Sequence, residues 1–412
     1  MTPQLGETFR SLRLHNYRLW AAGALASNVG TWVQRTAQDW LVFTELTRHD
    51  ASTVGLVMAL QFGPQLLFLP WTGSAADRLD QRRLLLTTQA VLGTLALALG
   101  LLTVAGGVQL WHVYVFAFLF GTAAAFDAPV RQTFVSALVG ERDLHNAVAL
   151  NSTSFNAARM VGPAVGGLII AAVGTGWAFL INGMSFLAPI LALVFLRTAE
   201  LHPAARTTGR TGGFVEGLRY VRGRPDLTAV LVILFLFGSF GMNSSIYIST
   251  MAVRAFGAEA AGYGVLMSIM AIGAVGGSLL NASRAAPSLR TIIVGATLFA
   301  LSCALCALAP TYWFFALALV PMGASAMTVL NASNSFMQTS TDAVMRGRVT
   351  ALRVAAFLGG APFGSPVVGH IADVFGPRWA LAIGATAGLA GALVGEWSLS
   401  RARARKGGES GA

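Results

Sequence analysis

Five charged side chains lie in stretches that are otherwise apolar. Arg35 and Asp39 fall in GTWVQRTAQDWLV (30–42), Asp127 and Arg131 in FDAPVRQTF (126–134), and Arg159 in NAVALNSTSFNAARMVGPAVGG (146–167). A charge at the centre of a bilayer costs about 2.5–3.5 kcal/mol on insertion scales, so each is a candidate for function. Asp39 and Asp127 are the carboxylates deep enough to carry a proton. Arg35 and Asp39 stand one helical turn apart, either as a pair at the membrane boundary beside Trp40 or as a coupling site. Arg159 lies roughly 22 Å into its run at 1.5 Å per residue, close to mid-membrane. It must face a cavity or an acid, or form a structural ion pair within its own half. Asn156 shares its side of the helix. Asn28, Gln61, Gln65, Asn151, Asn243, Asn331 and Asn334 are amides in apolar runs, fit either to line a cavity or to bond helix to helix. With Trp32, Phe62, Phe126, Phe155 and Tyr247 nearby and few charges, the chemistry suits an amphipathic, mid-sized organic molecule better than an ion or a sugar.

The elements that must position these residues are membrane helices. The chain of 412 residues is 55% hydrophobic and 11% charged, against about 25% charged in a soluble domain. Apolar runs of about 20 residues, the length that spans a bilayer, recur along it. They are centred in 17–45, 52–76, 83–106, 109–137, 144–173, 177–196, 226–253, 260–282, 289–309, 312–338, 348–374 and 379–398, and are numbered spans 1 to 12. They are too long for barrel strands and lack two-residue alternation. The net charge of +11 could suggest nucleic acid. Most Arg and Lys, however, gather in the termini and the even-numbered loops, while the opposite side has Arg48, Arg254 and Arg378. By the positive-inside rule both termini are cytoplasmic, and no nucleic-acid partner is expected. Span 1 is too long for a cleaved signal and no small-residue cleavage site follows it, so it is expected to remain in place. Cys303 and Cys306 sit three apart in span 9 without further ligands; they read as packing, and no metal site is expected.

A polar stretch, RTAELHPAARTTGRTGG (197–213), divides six spans from six. In FVEGLRYVRGRPDL (214–227) Phe214, Leu218 and Val221 share one face, predicting a short amphipathic helix at the cytoplasmic surface. The expected division is an N-terminal six-helix bundle over 1–197, a cytoplasmic linker over 198–225, and a C-terminal six-helix bundle with a basic tail over 226–412. The halves repeat. A shift of 202 residues aligns Phe134 with Phe336, Phe155 with Phe357, Gly162 with Gly364, Gly167 with Gly369, Gly174 with Gly376 and Trp177 with Trp379. Two parallel six-helix halves around a midplane site are the architecture of alternating access.

Two motifs narrow the family. GSAADRLDQRR (73–83) resembles the G-x-x-x-D-R-x-G-x-R-R signature of the major facilitator superfamily. Gly73, Asp77, Arg78, Arg82 and Arg83 match, and Asp80 stands where the second glycine usually does, which puts the tightness of the turn in question. The resemblance implies a conformational latch. Gly73 lets span 2 approach the other half, Asp77 meets the N-terminus of span 11, and Arg82 meets an acid in span 4. Asp127, with Arg131 four residues on, suits that role or a local pair with Arg131. GPAVGG (162–167) resembles the G-P-x-x-G-G signature associated with export by antiport: Gly162, Pro163, Gly166 and Gly167 match. Gly162 and Gly166 also form a small-residue face for close helix contact. Over nearly the whole chain, the flanks of these motifs and RGRVTALR (346–353) resemble the branch containing enterobactin-type siderophore exporters and macrolide-efflux proteins.

The fold expected is therefore all-α and integral to the membrane, with twelve transmembrane helices in two pseudo-symmetric bundles. The function expected is secondary active export of a drug, macrolide or siderophore, driven by a proton gradient and needing no cofactor. An importer or lipid flippase of the same fold is the alternative. The chain is expected to be a monomer in the plasma membrane. G-x-S-x-G, H-E-x-x-H and the ATP-binding G-x-x-x-x-G-K-[ST] do not occur, which argues against an enzyme and against ATP as direct driver. No loop is long enough for a receptor's signalling domain.

Overall fold

A computed structural model describes residues 9–69, 71–72, 75, 79–202, 213–282, 288–342 and 345–409. Among them there is no strand. Ten helices are long and apolar enough to cross a membrane: Gln81–Val104, Leu110–Leu138, Glu141–Val173, Thr175–Val194, Pro225–Ala255, Ala260–Asn281, Leu289–Ala307, Tyr312–Thr339, Arg346–Val374 and Pro377–Arg401. These are spans 3 to 12. Span 1 is His15–Trp40, which runs on as a π-helical turn over Leu41–Leu46, and span 2 is the shorter Ala51–Leu67. Apart from span 2, expected over 52–76 and continuous only to Leu67, each helix lies close to its expected run, because long apolar segments have no stable alternative to the helix in lipid.

The chain divides into two compact units, Met1–Leu46 with Gly63–Thr208, and Thr47–Phe62 with Gly209–Ala412. The second half of the sequence thus carries with it the start of span 2. In the first unit, spans 3 and 6 pack at Gly93 and Gly100, against Phe186 and Leu180. In the second, Gly273 and Gly277 of span 8 meet the backbone of Val320 and Ala324 in span 10, and Gly323 in turn meets Met270. Small residues let the backbones approach closely, the usual basis of helix association where lipid removes the hydrophobic drive.

The internal repeat holds in three dimensions. Gly174, the one residue between spans 5 and 6, has φ +89, and its repeat mate Gly376, between spans 11 and 12, has φ +99. Both need a residue without a Cβ. Trp111, Trp177, Trp313 and Trp379 all stand exposed in the first turn of an even-numbered span, as tryptophans at a membrane interface do.

Each unit also ties a short entry segment to the start of its fifth helix. In the first, a 3-10 turn over Arg10–Arg13 holds span 5: Arg10 donates to Asp143 at 2.5 Å and Ser11 Oγ to Asn146 at 2.7 Å. In the second, the linker helix Gly213–Arg222 holds span 11. Glu216 pairs with Arg348 at 3.0 Å, and Tyr220 donates to Asp342 at 3.0 Å. Arg224, gripped by the Asp226 carboxylate at 2.8 Å, is held above its ordinary pKa by that hydrogen bond. The linker helix is amphipathic as expected, but Val221 is buried and Gly217 lies against Arg348. Part of its apolar face is therefore turned to span 11 rather than wholly to the membrane surface.

Candidate functional site

In the first unit the charged residues fall into two groups around span 1. One group is a closed network joining spans 1, 3 and 4. Asp127 Oδ1 accepts from Thr88 Oγ1 at 2.7 Å and from Gln89 Nε2 at 2.5 Å, and its Oδ2 accepts from Arg131 Nε at 3.0 Å. Arg131 Nη1 then donates to Ser27 and to Asn28 Oδ1 at 3.2 Å, and its guanidinium lies 5.7 Å from the Trp20 ring. The ion pair is 12% and 8% exposed. A pair this deep persists because the remaining hydrogen-bonding positions are also filled.

Of the two roles the sequence left open for Asp127, the structure shows the local pair with Arg131 and not the contact with Arg82. Arg82 Nε instead donates to the carbonyl of Leu193, at the end of span 6, at 2.8 Å. A cation at the carbonyl end of a helix is favoured by the helix dipole, and Asp127 already has its cation four residues away. Asp80 resolves the departure from the family pattern. Its φ is −63, so no glycine is required, and its carboxylate accepts the Arg83 N–H at 2.8 Å as the cap of span 3. Gly73, Asp77 and Arg78 lie outside the described residues.

The second group is the contact of span 5 with span 1. A Cβ on Gly162 would fall on Trp32 Cβ, with the Val29 carbonyl at 3.3 Å; a Cβ on Gly166 would stand 3.2 Å from Val33 and Thr36. Gly167 and Ala158 are buried as well, and Pro163 is partly buried inside a continuous helix. The GPAVGG stretch therefore packs against span 1 between Val29 and Thr36, the stretch that carries Trp32 and Arg35, with Asp39 just beyond it. The Arg35 guanidinium sits 4.6 Å from the centre of the Trp32 ring, and the charge of Asp39 acts on it. Gln34 accepts from Asn182 of span 6 at 2.5 Å, and Gly30 lies against Asn182 and Ser185. Gln38 is 1% exposed, and neither atom of its amide has a partner. Gln61, whose buried amide nitrogen has no partner, lies on the part of span 2 that belongs to the second unit and is not part of this group. Arg159 is partly buried one turn before Gly162, and Asn156 donates to Ser152 on its own helix. Asn151 and Gln65 are partly buried.

In the second unit, Asn243, Asn331 and Asn334 bond within the protein. Asn243 donates to the Ser239 carbonyl at 2.7 Å and accepts from Ser365 of span 11 at 2.7 Å. Asn331 of span 10 donates to Ser278 of span 8, and Asn334 accepts from Gln338. Tyr247 does not line a cavity. It is fully buried in span 7, its hydroxyl donates to the Phe240 carbonyl, and Gly384 of span 12 and Cys303 of span 9 pack near it. Cys303 and Cys306 are buried free thiols.

Two features escaped the sequence reading. Span 7 is broken near its middle by a π-helical turn over Phe237–Gly241 and a bend before Ser244. Such turns often mark functional positions, and the signal was present in FGSFGMN. Gly364 of span 11 lies on the Ser239 backbone at that break. The other feature joins the start of span 2 to the end of span 11 through Asp373, Ser52 and Arg254.

Comparison with known proteins agrees with this architecture. A family model described as transmembrane secretion effector matches residues 7–406. The chain is 27% identical over 366 residues to the multidrug efflux pump Tap of Mycolicibacterium fortuitum, covering 86% of this chain and 88% of that protein. It is 23% identical to the enterobactin exporter of Shigella flexneri, covering 81% and 80%. It is 25% identical to the staphyloferrin A transporter of Staphylococcus aureus, a match spanning 60% of this chain and 62% of that protein's length. Among solved structures, a D-xylose–proton symporter superposes with a TM-score of 0.72 at 15% identity, covering 94% and 97% of the two chains. The nucleoside transporter NupG gives 0.71 at 12%, covering 93% and 99%. At such identities the structures speak for the fold alone. The chain is a multi-pass membrane protein and belongs to the transmembrane secretion effector family of major facilitator superfamily transporters.

Proposed function

We propose that this chain is a proton-coupled exporter of amphipathic organic molecules of the drug, macrolide or siderophore class. It works by alternating access in the plasma membrane with both termini cytoplasmic. The observation that carries the reading is the seat of Gly162 and Gly166 on span 1 beside Trp32, Arg35 and Asp39. Span 5 cannot shift without disturbing the charged stretch of span 1, so protonation of Asp39 and movement of span 5 are mechanically joined. The names of the relatives, an efflux pump and a siderophore exporter among them, support the outward direction. The chain's residues bind, orient and release cargo; no bond-making step is assigned to them, and no cofactor beyond the gradient is invoked.

The test uses the purified chain in proteoliposomes with an imposed proton gradient and a panel of macrolides, dyes and ferric-free siderophores. Cargo movement should depend on the gradient and stop with Asp39→Asn. Gly162→Leu should stop it too. Movement indifferent to an uncoupler sinks the coupling claim, and accumulation in the opposite direction points to an importer.

A further inference from the structure

One cation of the second unit has no counter-charge. Arg353 stands in span 11, two turns after its first residue Arg346, or about 10 Å along the axis at 1.5 Å per residue. It is partly buried, and its Nε is buried with no hydrogen-bond partner. Among the described residues it forms no ion pair and no hydrogen bond. The acids of this unit are engaged elsewhere. Glu216 pairs with Arg348 at 3.0 Å, Asp226 with Arg224 at 2.8 Å and Asp373 with Arg254 at 2.6 Å. Asp342 accepts from Tyr220 at 3.0 Å and Asp50 caps Thr53 at 3.1 Å, while Glu259 and Glu396 are exposed. Arg131 of the first unit shows the contrast: its guanidinium has a carboxylate, a hydroxyl and an amide as partners. An arginine near a helix end can snorkel, with its head group out in water or among lipid phosphates. Arg353 does not, since its Nε is enclosed by protein. Gly360 and Gly364, two and three turns on along the same face of the helix, lie on the Ser239 backbone of span 7. The stripe that carries Arg353 is therefore turned into the bundle.

We propose that Arg353 binds an anionic oxygen group, a carboxylate or a phosphate, on the molecule that the chain transports. The unmet charge rests on the structure itself; its role in transport rests on the function proposed above. Buried charges persist where they are paired. This unit supplies no pair, so the anion comes from outside the protein. The planar guanidinium matches a carboxylate or phosphate with two parallel N–H···O bonds, and such bonds are stronger in a surrounding of low dielectric than in water. The cargo favoured is then an amphipathic acid rather than an amine. The repeat places Asn151, an uncharged amide, at the equivalent position of span 5, so the preference for an acid belongs to the second unit. Arg353 also stands toward the end of span 11 that the topology proposed above puts at the cytoplasm, the side from which exported cargo enters.

The test uses the full chain in a neutral detergent with two dyes that differ in one group: rhodamine B, which carries a free carboxylate, and its ethyl ester, which does not. The parent should bind the acid about tenfold more tightly than the ester, the equivalent of one hydrogen bond to a charged group. Arg353→Gln should bind the two alike, and Arg353→Lys should keep part of the preference. Heat tells a binding role from a merely structural one. Without dye, Arg353→Gln should melt at or above the parent, because it removes an unpaired charge. The acid should raise the melting temperature of the parent and not that of the variant. Equal affinity of the parent for acid and ester overturns the proposal, and so does the absence of any binding of the acid. A preference that survives in Arg353→Gln overturns it too, as does a lower dye-free melting temperature in that variant. In phosphatidylcholine nanodiscs the preference should persist when phosphatidylglycerol is added; its loss gives the site to a lipid phosphate and overturns the assignment to cargo. Binding is read without a gradient, so a failure of proton coupling leaves the result standing, and gradient-driven export that ignores the carboxylate sinks this inference alone. Should Arg353→Gln yield no folded protein, Arg353→Lys decides with the same two dyes, an undiminished preference counting against the site.

Discussion

The two bundles share a packing plan and differ in what they place at its centre. In the first, span 5 lies on span 1 through Gly162; in the second, span 11 lies on span 7 through the repeat mate Gly364. Around the first crossing stand Arg35, Asp39 and Arg159, with the Asp127–Arg131 pair nearby on span 4. Around the second stand Ser239, Asn243 and Ser365, bonded to one another and uncharged. Span 1 stays helical through its crossing, whereas span 7 breaks there. One packing plan thus places ionisable groups around the first crossing and neutral hydrogen bonds around the second.

The sharpest way to break this contrast is to empty the charged side of it. Arg131→Leu leaves the Asp127 carboxylate buried with only Thr88 and Gln89, and should destabilise the chain by about 3–5 kcal/mol. A large fall in melting temperature in detergent would show it, and adding Asp127→Asn should recover most of the loss. If Arg131→Leu melts like the parent, the first bundle's charges are not structurally held. Next come the glycines. Gly364→Ala drives a methyl into the Ser239 backbone, which cannot swing aside, so it should cost the upper part of the about 1–3 kcal/mol typical of overpacking. Gly162→Ala meets a tryptophan Cβ, should cost less stability, and should lose more transport than folding. Equal losses of both properties at both sites would erase the distinction. Asn243→Leu strands the Ser365 hydroxyl and the Ser239 carbonyl, a cost of about 1–3 kcal/mol read as a lower melting temperature. It should leave the proton dependence of transport intact. The smallest effect belongs to the entry ties. Arg10→Ala and Glu216→Ala each remove a half-exposed ion pair worth at most about 1 kcal/mol, and the two should match closely, since the ties are repeat-related in place though opposite in charge order.

The twelve helices were legible because a run of twenty apolar residues has one stable form in lipid. The close contact at Gly162 and Gly166 was legible from their spacing, and the pairing of Gly174 with Gly376 from the repeat, but not that these two form the joints between helices. What a helix faces was not. In a membrane span both the lipid side and the protein side are apolar, so periodicity does not reveal rotation about the axis. That is why Tyr247 read as a cavity residue and proved to be core, and why Thr88 and Gln89 were passed over as partners of Asp127. Arg82 was assigned an acid when backbone carbonyls were available, and carbonyls leave no mark in a sequence. The cluster of Ser52, Arg254 and Asp373 joins three loop edges far apart in the chain, and no local pattern announces it.

The one-residue joint at Gly174 and the two-residue joint at Phe375–Gly376 carry a consequence for how the protein is made. Span 5 ends at Val173 and span 6 begins at Thr175, so the two helices have no slack between them. Neither can enter the bilayer and wait for the other in a different orientation; they must leave the insertion machinery as one hairpin, and spans 11 and 12 likewise. A reporter or epitope threaded into either joint should therefore prevent insertion of the whole pair. The same tag at Gly106, in the longer turn between Val104 and Leu110 that joins spans 3 and 4, should be tolerated.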